Sequence, residues 1–222
     1  MTNAMTLNQK TEKAQRIAKA ALKLFQQYSF DEITMAQIAK TAGVSKGTLF
    51  NYYDSKENIF MNLLLVGYQA YFESLDGRIQ QRTSLTVIEF KNLVLKETSE
   101  LIKEHATLIR LNALRGPILE EKADKTQTMT GRKKLYEVTE KLSQDIAAKN
   151  KALLPESVSR LFITQSAVIS GLMNLSGLNE FNREKLPIGF FNFEINVEQE
   201  ARTILSHYMN GLFRKKKVDE QK

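Results

Sequence analysis

The sequence predicts an all-α chain, and three observations carry that prediction. Apolar residues recur at three- and four-residue steps through most of its length. Only three of the 222 residues are proline and ten are glycine, so little interrupts such helices. Strong helix start and stop signals cluster in one stretch, TMAQIAKTAGVSKGTLFNYYDSK, from Thr34 to Lys56.

Composition narrows the classes. A chain of 222 residues admits one large domain or two smaller ones. It has no run of eighteen apolar residues, so no transmembrane helix and no membrane partner are expected. The start, MTNAMTLNQKTEKAQ, is polar and lacks the apolar core of a signal peptide. Zero cysteine excludes disulfides and thiolate metal sites, and a cytoplasmic location is expected. Lys and Arg number 32 against 25 Asp and Glu, a formal charge of +7. Such an excess favours polyanions through counterion release, although charge alone describes a solvated basic surface equally well.

Taken in order, residues 1–9 read as a frayed arm. From Lys10 to Tyr28, the positions Ile17, Ala21, Leu24, Phe25 and Tyr28 form an apolar stripe opposite Lys10, Lys13, Arg16, Lys19 and Lys23. Ser29 to Glu32 is a connector, with Phe30 and Ile33 expected to plug a small core. Thr34 and Gln37 make a capping box for a second helix, in which Ile38, Ala39 and Ala42 share a face. Gly43 stands where a left-handed residue must end that helix. Ser45 caps a third helix to about Asn51, with Leu49 facing inward and Lys46, Thr48, Phe50, Asn51 and Tyr52 on the other faces. That is the layout of a helix-turn-helix.

Asp54 or Ser55 caps a fourth helix that begins near Lys56 and runs towards Phe72. Glu73 to Gln81 is polar, contains Gly77 and reads as a junction. Periodic segments follow at 84–104 and 106–114, and Arg115-Gly116-Pro117 is expected to break the second. A helix at 128–150 places Leu135, Val138, Leu142 and Ile146 on one face. Pro155 suits the first position of a helix at 155–176. Residues 177–195 form a phenylalanine-rich connector, Asn196 caps a last helix to Phe213, and RKKK at 214–217 opens a polar tail.

Catalytic chemistry finds little support. His105 and His207 are the two histidines, on separate segments, and neither belongs to a metal-ligand spacing. SKGT at 45–48 lacks the upstream glycines and strand of a phosphate loop. No catalytic residue, metal site or cofactor is expected. The rival non-enzymatic class is a helical interaction protein that never meets DNA. The outward polar set Lys46, Thr48, Asn51 and Tyr52 argues against it, because packing requires none of them there.

AGVSKGTLFNYYDSKENIF resembles the DNA-binding signature of the tetracycline-repressor (TetR) family, and IAKAALKLFQQYSFDEITMAQIA resembles the segment before it. The likeness covers residues 10–65. Ser29 stands where the family usually has glycine, so the end of the first helix is expected to be shaped differently. Ala36 stands where a longer, often basic residue is common. The resemblance implies a regulator of transcription, a repressor in the first instance and an activator in the alternative. It would act as a homodimer on a double-stranded DNA operator and respond to a small apolar or amphipathic effector.

The resemblance also implies an organisation and roles. Residues 1–9 would be a disordered arm, 10–60 the helix-turn-helix domain, 61–213 the effector-binding and dimerisation domain, and 214–222 a polar tail. Lys46, Phe50 and Asn51 would enter the groove. Thr34, Ser45, Thr48, Tyr52 and Lys56 would hold phosphates, and Gly47 would let the helix approach closely. The helices at 155–176 and 196–213 would form the dimer interface, with Leu172 and Leu205 as candidate contacts. Tyr68, Tyr71, Phe90, Leu111, Tyr136 and Phe162 would line the effector cavity.

Overall fold

The computed structural model describes residues 7–176 and 195–213, all helix and connecting turns with no strand among them. The helices are α1 (Leu7–Gln27), α2 (Met35–Ala42), α3 (Lys46–Phe50), α4 (Lys56–Gln80), α5 (Val87–Glu104), α6 (Ala106–Leu114), α7 (Glu120–Lys122), α8 (Lys125–Lys149), α9 (Pro155–Ser176) and α10 (Val197–Leu212). The phenylalanine-rich stretch 177–194 and the basic tail from 214 lie outside the described residues, as do residues 1–6 of the expected arm. α1 starts at Leu7, so its helical signal extends into residues expected to fray.

The described chain forms two compact units. The first holds residues up to Tyr68 together with Leu111–Leu135, and the second holds Gln69–Arg110 with the chain from Tyr136 onward. α4, α6 and α8 therefore each give one end to either unit. The expected boundary near residue 60 falls within the first unit.

The core of the first unit is aromatic at its centre. Phe60 of α4 packs between Phe25 and Phe30, with ring centroids 5.3 and 5.4 Å away. Ile17, Ile33, Ile38, Leu49 and Ile59 close around them, each at most 1 % exposed. Ser29 closes the end of α1 without a left-handed backbone. Its N–H and hydroxyl both donate to the Glu32 carboxylate at 2.8 Å, which holds that carboxyl below its ordinary range. The connector is thus tied by a side chain, and glycine is not needed there.

In the second unit α5 begins with a Thr86–Glu89 capping box. Phe72 meets Phe162 of α9 edge-on at 5.3 Å, and Phe90 meets Phe213 at 5.8 Å. Gln165 and Thr98, both buried polar side chains, are paired here. Gln165 Nε2 donates to Thr98 Oγ1 at 2.8 Å, and Thr98 donates to the Val94 carbonyl at 2.7 Å.

Two expected interruptions are absorbed. α4 runs through the polar stretch around Gly77 to Gln80. Glycine inside a helix costs about 1 kcal/mol, whereas burying Leu75 and Ile79, at 1 % and 0 % exposure, returns roughly 1.5–3 kcal/mol each. Burial decides. At Arg115-Gly116-Pro117 the helix widens into a π-turn over Arg115–Leu119, and the Glu120 N–H reaches the Arg115 carbonyl five residues back. Proline has no N–H for an α-helical bond, and the wider turn carries the chain past it without a break.

Candidate nucleic-acid interface

The interface is built from local hydrogen bonds outward. Thr34 Oγ1 accepts the Gln37 N–H at 3.3 Å, and Gln37 Oε1 accepts the Thr34 N–H at 2.7 Å, completing the capping box of α2. Gly43 ends α2 at φ 64°, ψ 40°, and the Val44 N–H returns to the Ala39 carbonyl at 3.0 Å. No other described residue has a left-handed φ. Ser45 Oγ then accepts the Thr48 N–H at 3.0 Å and shares a 2.8 Å hydrogen bond with Thr48 Oγ1, which starts α3 one residue after the turn.

α3 buries Leu49 completely and points the rest outward. Ser45, Lys46, Gly47, Phe50 and Asn51 are exposed, while Thr48 and Tyr52 are half-buried. Lys46 Nζ lies 6.0 Å from the centre of the Phe50 ring, so the cation and the aromatic share one face. Tyr53 is core, as expected: it is 7 % exposed, and burial pushes its phenol above the ordinary tyrosine value. Thr34 is exposed at the start of α2, and Arg16, Lys19 and Lys23 are exposed on α1.

A Cβ built at Gly47 meets no atom within 4 Å, so packing inside the chain does not require glycine there. Gly47→Ala is accordingly expected to raise stability by up to about 1 kcal/mol. Operator affinity should fall if close approach to DNA is what the glycine serves. A thermal melt and a DNA titration check the pair, and affinity that improves together with stability would count against that role.

Lys56 was expected to face phosphate. Its ammonium instead donates to the carbonyls of Phe30 at 2.8 Å and Ile33 at 3.0 Å, and it sits 4.2 Å over the Phe30 ring. No spacing rule in the sequence signals this, because the partners lie 26 and 23 residues away. Asn58, also missed, is 5 % exposed in the first turn of α4 and accepts the Asp124 N–H ahead of α8.

The residues expected to line an effector cavity are divided by the fold. Tyr68 and Leu111 are buried in the first unit, and Tyr71, Phe90 and Phe162 are buried in the second. Tyr136 differs, with 62 % of its surface exposed, because α8 sends only Leu142, Ser143 and Ile146 fully into the core. His105 caps α5 and sets its ring edge-on to Tyr71 at 5.6 Å. No group of acidic, histidine or cysteine side chains with metal-binding geometry occurs among the described residues. No helix among them is long and apolar enough to cross a membrane.

A capped helix, a left-handed glycine turn and a second short helix with an exposed polar face make up a helix-turn-helix, an element whose second helix fits the major groove of DNA. Residues 17–63 match the family described as bacterial regulatory proteins, tetR family. That segment, α1 to the start of α4, is where the chain is similar to transcriptional regulators of this family.

Among curated relatives, it is 30% identical over 123 residues to the uncharacterized HTH-type transcriptional regulator YuxN of Bacillus subtilis, covering 46% of this chain and 42% of that protein. It is 35% identical over 72 residues to the putative mycofactocin biosynthesis transcriptional regulator MftR of Mycobacterium tuberculosis, covering 31% and 36%. The matches thus span less than half the length of either relative. Among solved structures it resembles Thermus thermophilus FadR, a TetR family transcriptional repressor in complex with lauroyl-CoA. There the TM-score is 0.54 at 21% identity, over 94% of this chain and 97% of that one, a likeness of fold.

Proposed function

We propose that this protein is a dimeric transcriptional repressor that holds a palindromic operator and is released from it by a small apolar or amphipathic molecule. The exposed polar face of α3, carrying Lys46, Phe50 and Asn51 beside a buried Leu49, is the observation that supports the DNA reading. Lys46 donates to a guanine edge or a phosphate, Phe50 packs on a thymine methyl, and Asn51 reads a base edge. Thr34, Ser45, Thr48 and Tyr52 position the backbone of the duplex.

Two exposed recognition helices in a dimer read two half-sites, with centres roughly 34–36 Å apart or a multiple of that. Selection of bound duplexes from a random pool is expected to enrich such a palindrome. Lys46→Ala and Tyr52→Ala should each weaken its binding by about 1–3 kcal/mol per half-site with the fold intact. An unenriched pool, or both variants binding like the parent, defeats this reading.

Release rests on helix continuity. α4 begins beside the recognition helix and ends in the other unit at Gln80. A ligand that prefers one position of α4 changes operator affinity by its differential affinity for the two positions, typically about 5–150-fold. The acyl-CoA bound by the Thermus thermophilus protein supports an amphipathic class of effector. Long-chain acyl thioesters and free fatty acids are therefore the first compounds to titrate with and without operator. Operator must weaken a true effector by the same factor, and identical affinities in both titrations exclude the compound.

A further inference from the structure

We propose that Lys56 is a positioning residue: it pins the first turn of α4 to the connector between α1 and α2, and it does not neutralise a phosphate. This inference rests on the DNA-binding reading above and deepens it.

The geometry leaves the ammonium little for a ligand. Two of its three donors are spent on the Phe30 and Ile33 carbonyls at 2.8 and 3.0 Å, and the Phe30 ring lies 4.2 Å below the charge. Those carbonyls belong to the turn that feeds α2, whose cap is the adjacent Thr34. Phe30 in turn packs on Phe60, one turn along α4 from Lys56. The lysine therefore closes a ring of contacts from α4 through the connector to the start of the helix-turn-helix. Swinging this ammonium outward would break contacts with two carbonyls and a ring face, which the remaining N–H does not replace. With Lys56 in place, movement of the first turn of α4 carries the connector and α2 with it.

The salt dependence of operator binding separates the two roles. Loss of a phosphate contact lowers the slope of log K against log salt by about 1 per contact, whereas loss of a brace lowers affinity equally at every salt concentration. The experiment titrates the selected operator at several salt concentrations with the parent, Lys46→Ala and Lys56→Met, and melts each protein. Lys56→Met is expected to keep the parent slope, lose affinity uniformly and melt about 3–8 °C lower.

Lys56→Arg covers the case in which the methionine variant does not fold. Arginine serves a phosphate as well as lysine does and can also stack on the ring, but its N–H groups are spread over a rigid planar fork, whereas here one ammonium nitrogen donates to both carbonyls. It should therefore lower affinity and melting temperature while keeping the slope. A reduced slope for Lys56→Met, or parent-like affinity and melting for either variant, overturns the inference. Absence of any operator binding by the parent defeats the DNA reading instead, and the two failures remain distinct.

Discussion

In the dimer proposed above, Ile163→Glu is expected to leave each chain folded, to convert the protein to a monomer, and to lower affinity for the selected operator by about 10²–10⁴-fold. The single chain presents an outer stripe on α9 made of Ile163, Ala167, Gly171 and Leu175, with Ile163 at 65 % and Leu175 at 70 % exposure. Ile204 of α10, at 41 %, is exposed in the same way. Apolar side chains flanking two small residues four apart suit close approach of a second helix, and a twofold dimer makes that patch its own partner. A glutamate introduced there is solvated in the monomer and would be buried unpaired in the dimer, so the dimer alone is penalised. Sedimentation and operator titration check both halves of the expectation. A dimer that persists with parent affinity would place the interface elsewhere.

Leu205 makes the contrast. It was a candidate interface residue, yet it is 0 % exposed in the single chain. Leu205→Glu should therefore unfold the second unit rather than split a dimer.

The second large effect is expected from Arg78→Ala. Glu97 is buried, its side chain only 2 % exposed, and one Arg78 nitrogen lies 2.7 Å from both carboxylate oxygens. Tyr71 donates its hydroxyl to the same carboxylate at 2.9 Å, and burial and then the Glu97 charge raise its phenol far above the ordinary value, so it stays a donor.

Removing the arginine leaves a buried carboxylate with one neutral partner, a change that costs about 3–5 kcal/mol in fully buried pairs. Arg78 is itself 47% exposed, so water follows the truncation, and a loss of about 2–3 kcal/mol is the better expectation. Melting should fall by roughly 5–10 °C in a chain of this size. Tyr71→Phe leaves the charge pair intact and should cost about 1 kcal/mol. Arg78→Met combined with Glu97→Leu should recover most of the loss, since neither charge then remains. Equal melting of Arg78→Ala and the parent would show that the pair contributes nothing.

Short-range hydrogen bonds made part of this protein legible from its residues alone. Thr34 with Gln37, Gly43 and Ser45 each act on atoms within five residues, so the limits of α2 and α3 and the outward face of Lys46 and Asn51 were legible. The same holds for α9 starting at Pro155 and for α10 capped by Asn196.

Features that depend on partners far along the chain were not legible there. Gly77 stays helical because Leu75 and Ile79 are buried, and Pro117 is passed by a π-turn rather than a break. Periodicity marks a residue as apolar but does not say whether its own chain covers it, which is why Leu205 is core while Ile163 is left open. Charge likewise marks Lys56 as a donor without naming the acceptor. Burial and long-range hydrogen bonding are settled by which segments meet, and carbonyls more than twenty residues upstream turned that lysine inward.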